Sequence, residues 1–263
     1  MIIEPTGFGE NILVNSLHTF YSQQGEDLFV FLNFINQKRK DGRYLELGGL
    51  DGETYSNTKF FQDHLGFTGV LIEPLPAAYE QLTLNRPNDK SYNVAISSSK
   101  EPVPFVGDWA TAGMTSVMAD SFRSSHHPTA KEYLVPSHPL GNLLKEAKVP
   151  YLDLLSLDVE GGELEVLHTM DWSIPVYVVC IELDGHNKDK DEGCREVLRE
   201  NGFVFEHRMC INEFRRNPNY DRKDLLFTPN QEPEEQRHLC MEPHCVPEIK
   251  EGLTSYAQKQ RQH

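Results

Sequence analysis

Glycines and acids around residue 50 have the types and spacing that a nucleoside-bearing cofactor can use. Residues 44–52 have the pattern of a buried strand that runs into a turn, in which Glu46 precedes Gly48 and Gly52. A second strand pattern follows and ends in Glu73. The glycines would let the backbone approach a ligand closely, and Glu73 could accept hydrogen bonds from both hydroxyls of a ribose. The sequence therefore predicts a cofactor-dependent enzyme.

The charge of this turn indicates which cofactor it would bind. A turn that binds a pyrophosphate would read Gly-x-Gly-x-x-Gly, whereas here Glu46 and Asp51 add two negative charges to a different glycine spacing. S-adenosylmethionine contains an ammonium and a sulfonium group and no phosphate, so acids in the turn would attract it. The alternatives are a nicotinamide-dependent oxidoreductase on a Rossmann sheet and a non-catalytic Rossmann-like interaction module.

A second group of acids follows two later strand patterns. Asp158 ends one continuous apolar run, with Glu160 two residues later, and Glu182 ends the next run, with His186 shortly after it. Methyl transfer to a hydroxyl needs in-line placement and removal of a proton, for which an Asp, Glu or His can be the base. We expect Asp158 to be the main catalytic residue, assisted by Glu182, Glu160 or His186. The alternative is that these acids only cap glycine turns or pair with arginines.

A divalent cation is a second way to activate the hydroxyl. An ion bridging Asp158 and Glu182 would lower the hydroxyl pKa. Oxygen ligands favour magnesium or manganese over zinc. The sequence leaves open whether a metal or a carboxylate alone does this work.

The scaffold that positions these acids is predicted from alternating strand and helix patterns. Strands are expected at 44–49, 69–73, 92–97, 152–159 and 176–183, with 203–208 and 225–228 closing the sheet. Helices are expected at 27–36, 54–65, 76–85, 163–170 and 191–201, with 143–147 as the end of a further short helix. A hairpin is expected at 102–118 and a polar loop at 119–131. This alternation predicts a doubly wound, mostly parallel sheet with helices on both faces, which binds ligands beyond the carboxyl ends of its strands.

Several motifs in this order together resemble the FkbM family of methyltransferases. The motifs are YSQQGED at 21–27, ELGGLDG at 46–52, SNT at 56–58, GVLIEP at 69–74 and LDVEG at 157–161. The resemblance spans roughly residues 21–230. It implies a class I S-adenosylmethionine-dependent enzyme with a seven-stranded Rossmann-like sheet whose last strand is antiparallel. It also implies O-methylation of sugars and other hydroxylated metabolites.

The resemblance adds residues near the methionine end of the cofactor. Gln23 and Asn57 belong to motifs placed there, and Gln23 could bind the cofactor carboxylate. Ala95 would line the adenine pocket, and Asp108 with Trp109 could cover the adenine. The complete set of expected cofactor-binding residues is Gln23, Glu46, Gly48, Gly52, Asn57, Glu73, Ala95 and Asp108.

Composition limits the partners and the location. We expect a single domain over 1–230, with a helical N-terminal segment over about 1–40 and a polar tail over 231–263. A formal charge of −15 and a pI of about 5.1 argue against nucleic acid and anionic membranes as partners. The sequence shows neither a membrane-spanning run nor a secretory signal, and its five cysteines are irregularly spaced, so we expect a cytoplasmic protein. The acceptor would be a small molecule or a glycan, and the oligomeric state has no sequence signal.

Overall fold

A computed structural model describes residues 20–35 and 41–220, and the elements discussed below lie in the compact unit Tyr21–Tyr220. The predicted tail, most of the N-terminal segment and the predicted strand 225–228 lie outside the described residues. The strands are β1 Arg43–Leu47, β2 Thr68–Ile72, β3 Lys90–Tyr92, β4 Ala95–Ile96, β5 Val103–Val106, β6 Gly113–Met114, β7 Tyr133–Val135, β8 Ser137–His138, β9 Leu152–Leu157, β10 Val176–Glu182, β11 Val204–Met209 and β12 Asn212–Arg216. The helices are α1 Glu26–Asn33, α2 Lys59–Leu65, α3 Pro76–Asn85, α4 Asp120–His126, α5 Leu140–Ala147, α6 Glu163–Thr169 and α7 Lys188–Glu200.

The main sheet has seven strands in the order β11-β12-β10-β9-β1-β2-β3. The strands from β10 to β3 run parallel, and β12 is antiparallel to both of its neighbours. All six residues of the central strand β9 are buried, because helices cover both faces and the strand is almost continuously apolar. The predicted doubly wound class, with an antiparallel last strand, is confirmed.

The described edge of the sheet includes a strand that the sequence patterns did not predict. Strand β11 pairs with β12. The sequence of β12, Asn-Glu-Phe-Arg-Arg, looks too polar for a buried strand, yet its first four residues are buried. Glu213 accepts hydrogen bonds from Arg195 and Arg215, so the buried charges compensate one another.

The connection between β3 and β9 also differs from the prediction. The predicted strand 92–97 is split, because β3 belongs to the main sheet while β4 pairs with β8. The predicted hairpin is confirmed as β5 and β6, and β7 pairs with the other edge of β5. The predicted polar loop 119–131 is wrong, since it contains helix α4, none of whose residues is buried. We call residues 103–138 the insert.

Helices α2 and α7 begin several residues after or before their predicted starts. Helix α2 starts at Lys59 instead of near Thr54, because the Asp51 carboxylate holds residues 51–54 in a turn and the Ser56 hydroxyl accepts from the Lys59 amide. Helix α7 starts at Lys188, where Asn187 supplies the cap. Among the described helices, none is long and apolar enough to cross a membrane.

Candidate cofactor and acceptor site

A cavity lies at the carboxyl ends of the parallel strands and extends under the insert. Strands β1, β2, β9 and β10 contribute their ends, and the insert contributes Phe105, Trp109 and Met114. Six carboxylates line the cavity, and no described lysine, arginine or histidine does. They are Glu26, Glu46, Glu73, Asp158, Glu160 and Glu182. Four acids predicted at the strand ends, Glu46, Glu73, Asp158 and Glu182, therefore meet in one cavity.

Gly48 lines the cavity just after the end of β1. It has a left-handed backbone with φ +77°, and a Cβ atom at this position would lie 1.9 Å from the Asp158 carbonyl oxygen. The amides of Gly48 and Gly49 both donate to the Ile72 carbonyl at 3.1 Å. A glycine is therefore required for β1 to end in contact with β9 and β2.

Gly52 has a different surrounding. It also has a positive φ, but it does not line the cavity, and a Cβ atom there would meet the Arg86 side chain at 2.7 Å. Its carbonyl accepts from the Arg86 guanidinium at 3.0 Å. In this structure Gly52 shapes the turn behind the cavity, whereas Gly48 faces the cavity.

Glu46 is buried and surrounded by donors. Its carboxylate accepts from the Ser56 hydroxyl at 2.9 Å, the Asn57 amide at 2.7 Å and the Thr58 hydroxyl at 2.6 Å. Burial raises its pKa, and the nearby Arg86 opposes that shift. Glu46 thus holds the loop before α2 against β1 while it lines the cavity. Its contact with the cofactor ammonium stays a prediction.

Arg86, for which the sequence carried no signal, supports Glu46 from behind. Only 1% of Arg86 is exposed. Its guanidinium donates to the Asp89 carboxylate, the Tyr44 hydroxyl and the Thr58 hydroxyl at 2.7–2.9 Å. A buried guanidinium with so many acceptors fixes the loop and the end of α3 in one position.

Glu73 lines the cavity at the end of β2. One carboxylate oxygen accepts from the Leu50 amide and the other from the Leu75 amide, both at 2.8 Å. Burial raises its pKa to about 7. A carboxylate has about four acceptor positions, so two remain for hydroxyl donors from a ligand.

The other expected cofactor residues are placed unevenly. Gln23, Asn57 and Ala95 line the cavity, and the Asn57 side chain donates to the Ser156 hydroxyl at 2.9 Å. Asp108 lies outside the lining, whereas its neighbour Trp109, which is 49% exposed, stands at the cavity.

Asp158, Glu160 and Glu182 form the densest group of acids in the cavity, and we call them the acid trio. One oxygen from each lies within 4.8 Å of the others, and the carboxyls of Asp158 and Glu182 hydrogen-bond each other. Burial is the main cause that raises the pKa of each carboxyl, and repulsion from Asp158 adds to it at Glu160 and Glu182. Without a cation, Glu160 and Glu182 therefore retain protons near neutral pH, whereas Asp158 is largely ionised.

The turn after β9 directs Glu160 towards the cavity. Glu160 has φ +55°, which is uncommon for a residue with a side chain. The Glu163 carboxylate stabilises this turn by accepting from the amides of Val159 and Gly161 at 3.1 Å, and it also accepts from Lys190 at 2.6 Å. Lys190 is thus already paired with an acid that does not line the cavity.

The structure places His186 outside the cavity and Asn212 in its lining. His186 is not brought to the acid trio, because its exposed ring lies 3.0 Å from the Ser121 hydroxyl outside the cavity. Asn212, which the sequence patterns did not indicate, lines the cavity and donates to Glu26 at 2.8 Å. The polar sequence of β12 does not predict a buried strand, so Asn212 could not be placed at the cavity from the sequence.

Comparison with protein families gives one match. The family model described as the methyltransferase FkbM domain matches residues 46–205, which is more than half of the chain. This range includes Glu46, Glu73 and the acid trio. Comparison with curated protein sequences gives no match.

Solved structures with a similar fold include three methyltransferases. A methyltransferase FkbM from Methylobacillus flagellatus KT is 10% identical, with a TM-score of 0.42, covering 80% of this chain and 60% of that one. A precorrin-6y C5,15-methyltransferase from Geobacter metallireducens GS-15 is 10% identical, with a TM-score of 0.42, covering 72% and 76%. A TehB-like S-adenosylmethionine-dependent methyltransferase from Corynebacterium glutamicum is 10% identical, with a TM-score of 0.40, covering 80% and 96%.

Proposed function

The chain belongs to the FkbM family of methyltransferases, and on that premise we propose that it methylates a hydroxyl of a small polar acceptor, a saccharide or glycan. The methyl donor is S-adenosylmethionine. One observation carries the proposal of an O-methyltransferase: the same cavity has a carboxylate prepared for a ribose at one end and an acid trio at the other. A hydride-transferring enzyme would need a pyrophosphate site, which an acidic turn disfavours.

In the proposed complex, the cofactor occupies the part of the cavity between β1 and the insert. Glu73 accepts hydrogen bonds from the two ribose hydroxyls, since both of its oxygens are already oriented by backbone amides. Ala95, Phe105 and Trp109 surround the adenine. Gln23, Glu46 and Asn57 face the methionine end.

The acceptor hydroxyl lies beside Asp158 in this proposal. The oxygen attacks the methyl carbon opposite the sulfur, a C–O bond forms, the C–S bond breaks and its electron pair stays on sulfur. The hydroxyl proton passes to the Asp158 carboxylate, whose raised pKa of about 6 makes it a better base than an ordinary aspartate. Glu182 and Glu160 orient the acceptor through its other hydroxyls.

The acid trio also fits a magnesium or manganese ion. Its three oxygen donors are of the type these ions prefer, and their mutual repulsion would be relieved by a cation. When bound by Asp158, Glu160 and Glu182, such an ion would lower the pKa of a coordinated hydroxyl. If a metal takes part, a chelator should stop the reaction. If Asp158 acts as the base without a metal, a chelator should have no effect.

A screen of glycans with radiolabelled S-adenosylmethionine, with and without chelator, tests the proposal. We expect label on at least one neutral or amino-bearing glycan. After hydrolysis of the glycan, the label should be recovered in a sugar that carries a methyl ether. Calorimetry with adenosylhomocysteine provides the matching binding test. Absence of both cofactor binding and transfer would overturn the proposal in favour of a non-catalytic domain.

A further inference from the structure

We propose, resting on the methyltransferase function above, that the acceptor end of the cavity selects by charge. Acceptors that carry an amine near the methylated hydroxyl bind best, uncharged ones bind less well, and phosphorylated or carboxylated ones are excluded. The natural acceptor class is therefore a hydroxylated amine such as an amino sugar.

The composition of the cavity lining carries this inference. Six carboxylates and no described lysine, arginine or histidine line a cavity that must hold both substrates. Sites that bind phosphate or carboxylate groups place arginine, lysine or free backbone amides at the anion. An anionic acceptor would meet only like charge here.

The two ends of the cavity differ in how their acids are compensated. Glu46 and Glu73 accept hydrogen bonds from protein donors, and Glu26 accepts from Asn212 and from the Gln24 amide. The acid trio has no such donors among the described residues, apart from the hydrogen bond between Asp158 and Glu182. The carboxyls that lack protein donors are thus concentrated at the end of the cavity where we place the acceptor.

The surroundings of the trio do not supply the missing positive charge. The acids that act on it from adjacent elements are Glu26, Glu163 and Asp184. Lys190 opposes the rise in the pKa values of Asp158 and Glu160, but its ammonium lies 2.6 Å from Glu163 and 3.1 Å from Asp191 and is paired with them. A ligand that brings its own ammonium group would supply the positive charge that the cavity lining lacks.

The test compares matched sugars on the full chain. The series is a methyl glycoside, its 2-amino and 2-acetamido analogues, its 6-phosphate and the corresponding uronate, each assayed with labelled S-adenosylmethionine with and without chelator. We expect kcat/KM for the amino sugar to exceed that for the acetamido sugar by about tenfold, and the anionic sugars to be poorer still. Binding of the same series to the complex with adenosylhomocysteine, measured by calorimetry, should follow the same order.

Substitutions test whether the acid trio causes this order of acceptor preference. Glu160→Gln should reduce the ratio of amino to acetamido sugar, because it removes one carboxyl with which an ammonium group can pair, while Glu200→Gln on the exposed end of α7 should leave the ratio unchanged. The ratio is read within each protein preparation, so a partial loss of folded protein does not affect it.

Several results would overturn the inference. They are an acceptor order without preference for the amine, anionic sugars that react as well as amino sugars, and no binding by any member of the series. Activity that needs added magnesium and ignores the amine would identify the trio as a metal site instead. The methyltransferase function fails separately, by absence of adenosylhomocysteine binding.

Discussion

The cavity joins two groups of acids that the fold treats in opposite ways. At the cofactor end, Glu46 and Glu73 are fixed by hydroxyls and backbone amides before any ligand arrives. At the acceptor end, Asp158, Glu160 and Glu182 repel one another and depend on protons or a ligand for compensation. We propose that the acids fixed by protein donors provide geometry, whereas the acids that lack such donors provide reactivity and charge selection.

The largest effect is expected at the acceptor end. Asp158→Asn keeps the shape of the side chain but removes the base, so we expect transfer to fall by about a hundredfold or more while adenosylhomocysteine still binds. Radiolabel transfer and calorimetry measure the two quantities. Asp184→Asn, placed after β10 as Asp158 is after β9 but outside the cavity lining, is the matched control. A fully active Asp158→Asn protein would remove this residue from the mechanism.

At the cofactor end, the main effect of Glu46→Gln should be a lower free energy of unfolding. The amide cannot accept all three hydrogen bonds, and it leaves buried Arg86 with less negative charge, so we expect unfolding to become easier by about 2 kcal/mol. Denaturant unfolding measures this, with exposed Glu200→Gln as the control. Unchanged stability would show that the donors around Glu46 do not depend on its charge.

Glu73→Ala should separate binding from chemistry. Loss of the proposed ribose contacts should weaken adenosylhomocysteine binding by about tenfold. The rate of transfer at saturating cofactor should change less, because Glu73 lies away from the acid trio. Calorimetry and saturation kinetics give the two values. Equal affinity in the variant and the parent protein would contradict the ribose-binding role.

The smallest effect is a pH dependence of stability. The pKa of Glu160 is raised above its ordinary 4.5 in the folded protein, so its stabilising contribution is present below about pH 4.5 and is lost as the pH rises through the raised value. Glu160→Gln removes this loss, and its melting temperature relative to the parent protein should rise between pH 5 and 8 by about 3 °C. Thermal melts in low salt measure the difference. A difference independent of pH would mean that the trio is compensated by groups within the protein.

The sequence predicted the elements whose patterns are local. Strands β9 and β10 are continuous apolar runs, and the turn after β1 has its glycine and acid adjacent in sequence, so both the sheet and the meeting of Glu46, Glu73, Asp158 and Glu182 could be expected. Helix α3 was predicted at its observed residues, with Pro76 in its first turn. Which acids act as proposed stays a prediction.

Elements that depend on distant partners could not be predicted. Strand β12 is buried despite its charges because Arg195 on helix α7 pairs with Glu213. Helix α4 has no buried stripe and therefore no helical apolar pattern. Arg86 is buried by contacts with three separate segments, and nothing in its own neighbourhood of the sequence indicates that.

The contact between Gly48 and the Asp158 carbonyl has a consequence for engineering. The backbone of Gly48 lies against the Asp158 carbonyl, with no room for even a methyl group between them. Attempts to redesign the enzyme for bulkier acceptors should therefore leave these strand ends alone. Helix α4, none of whose residues is buried, is the part whose length and composition can be varied with the least loss of packing.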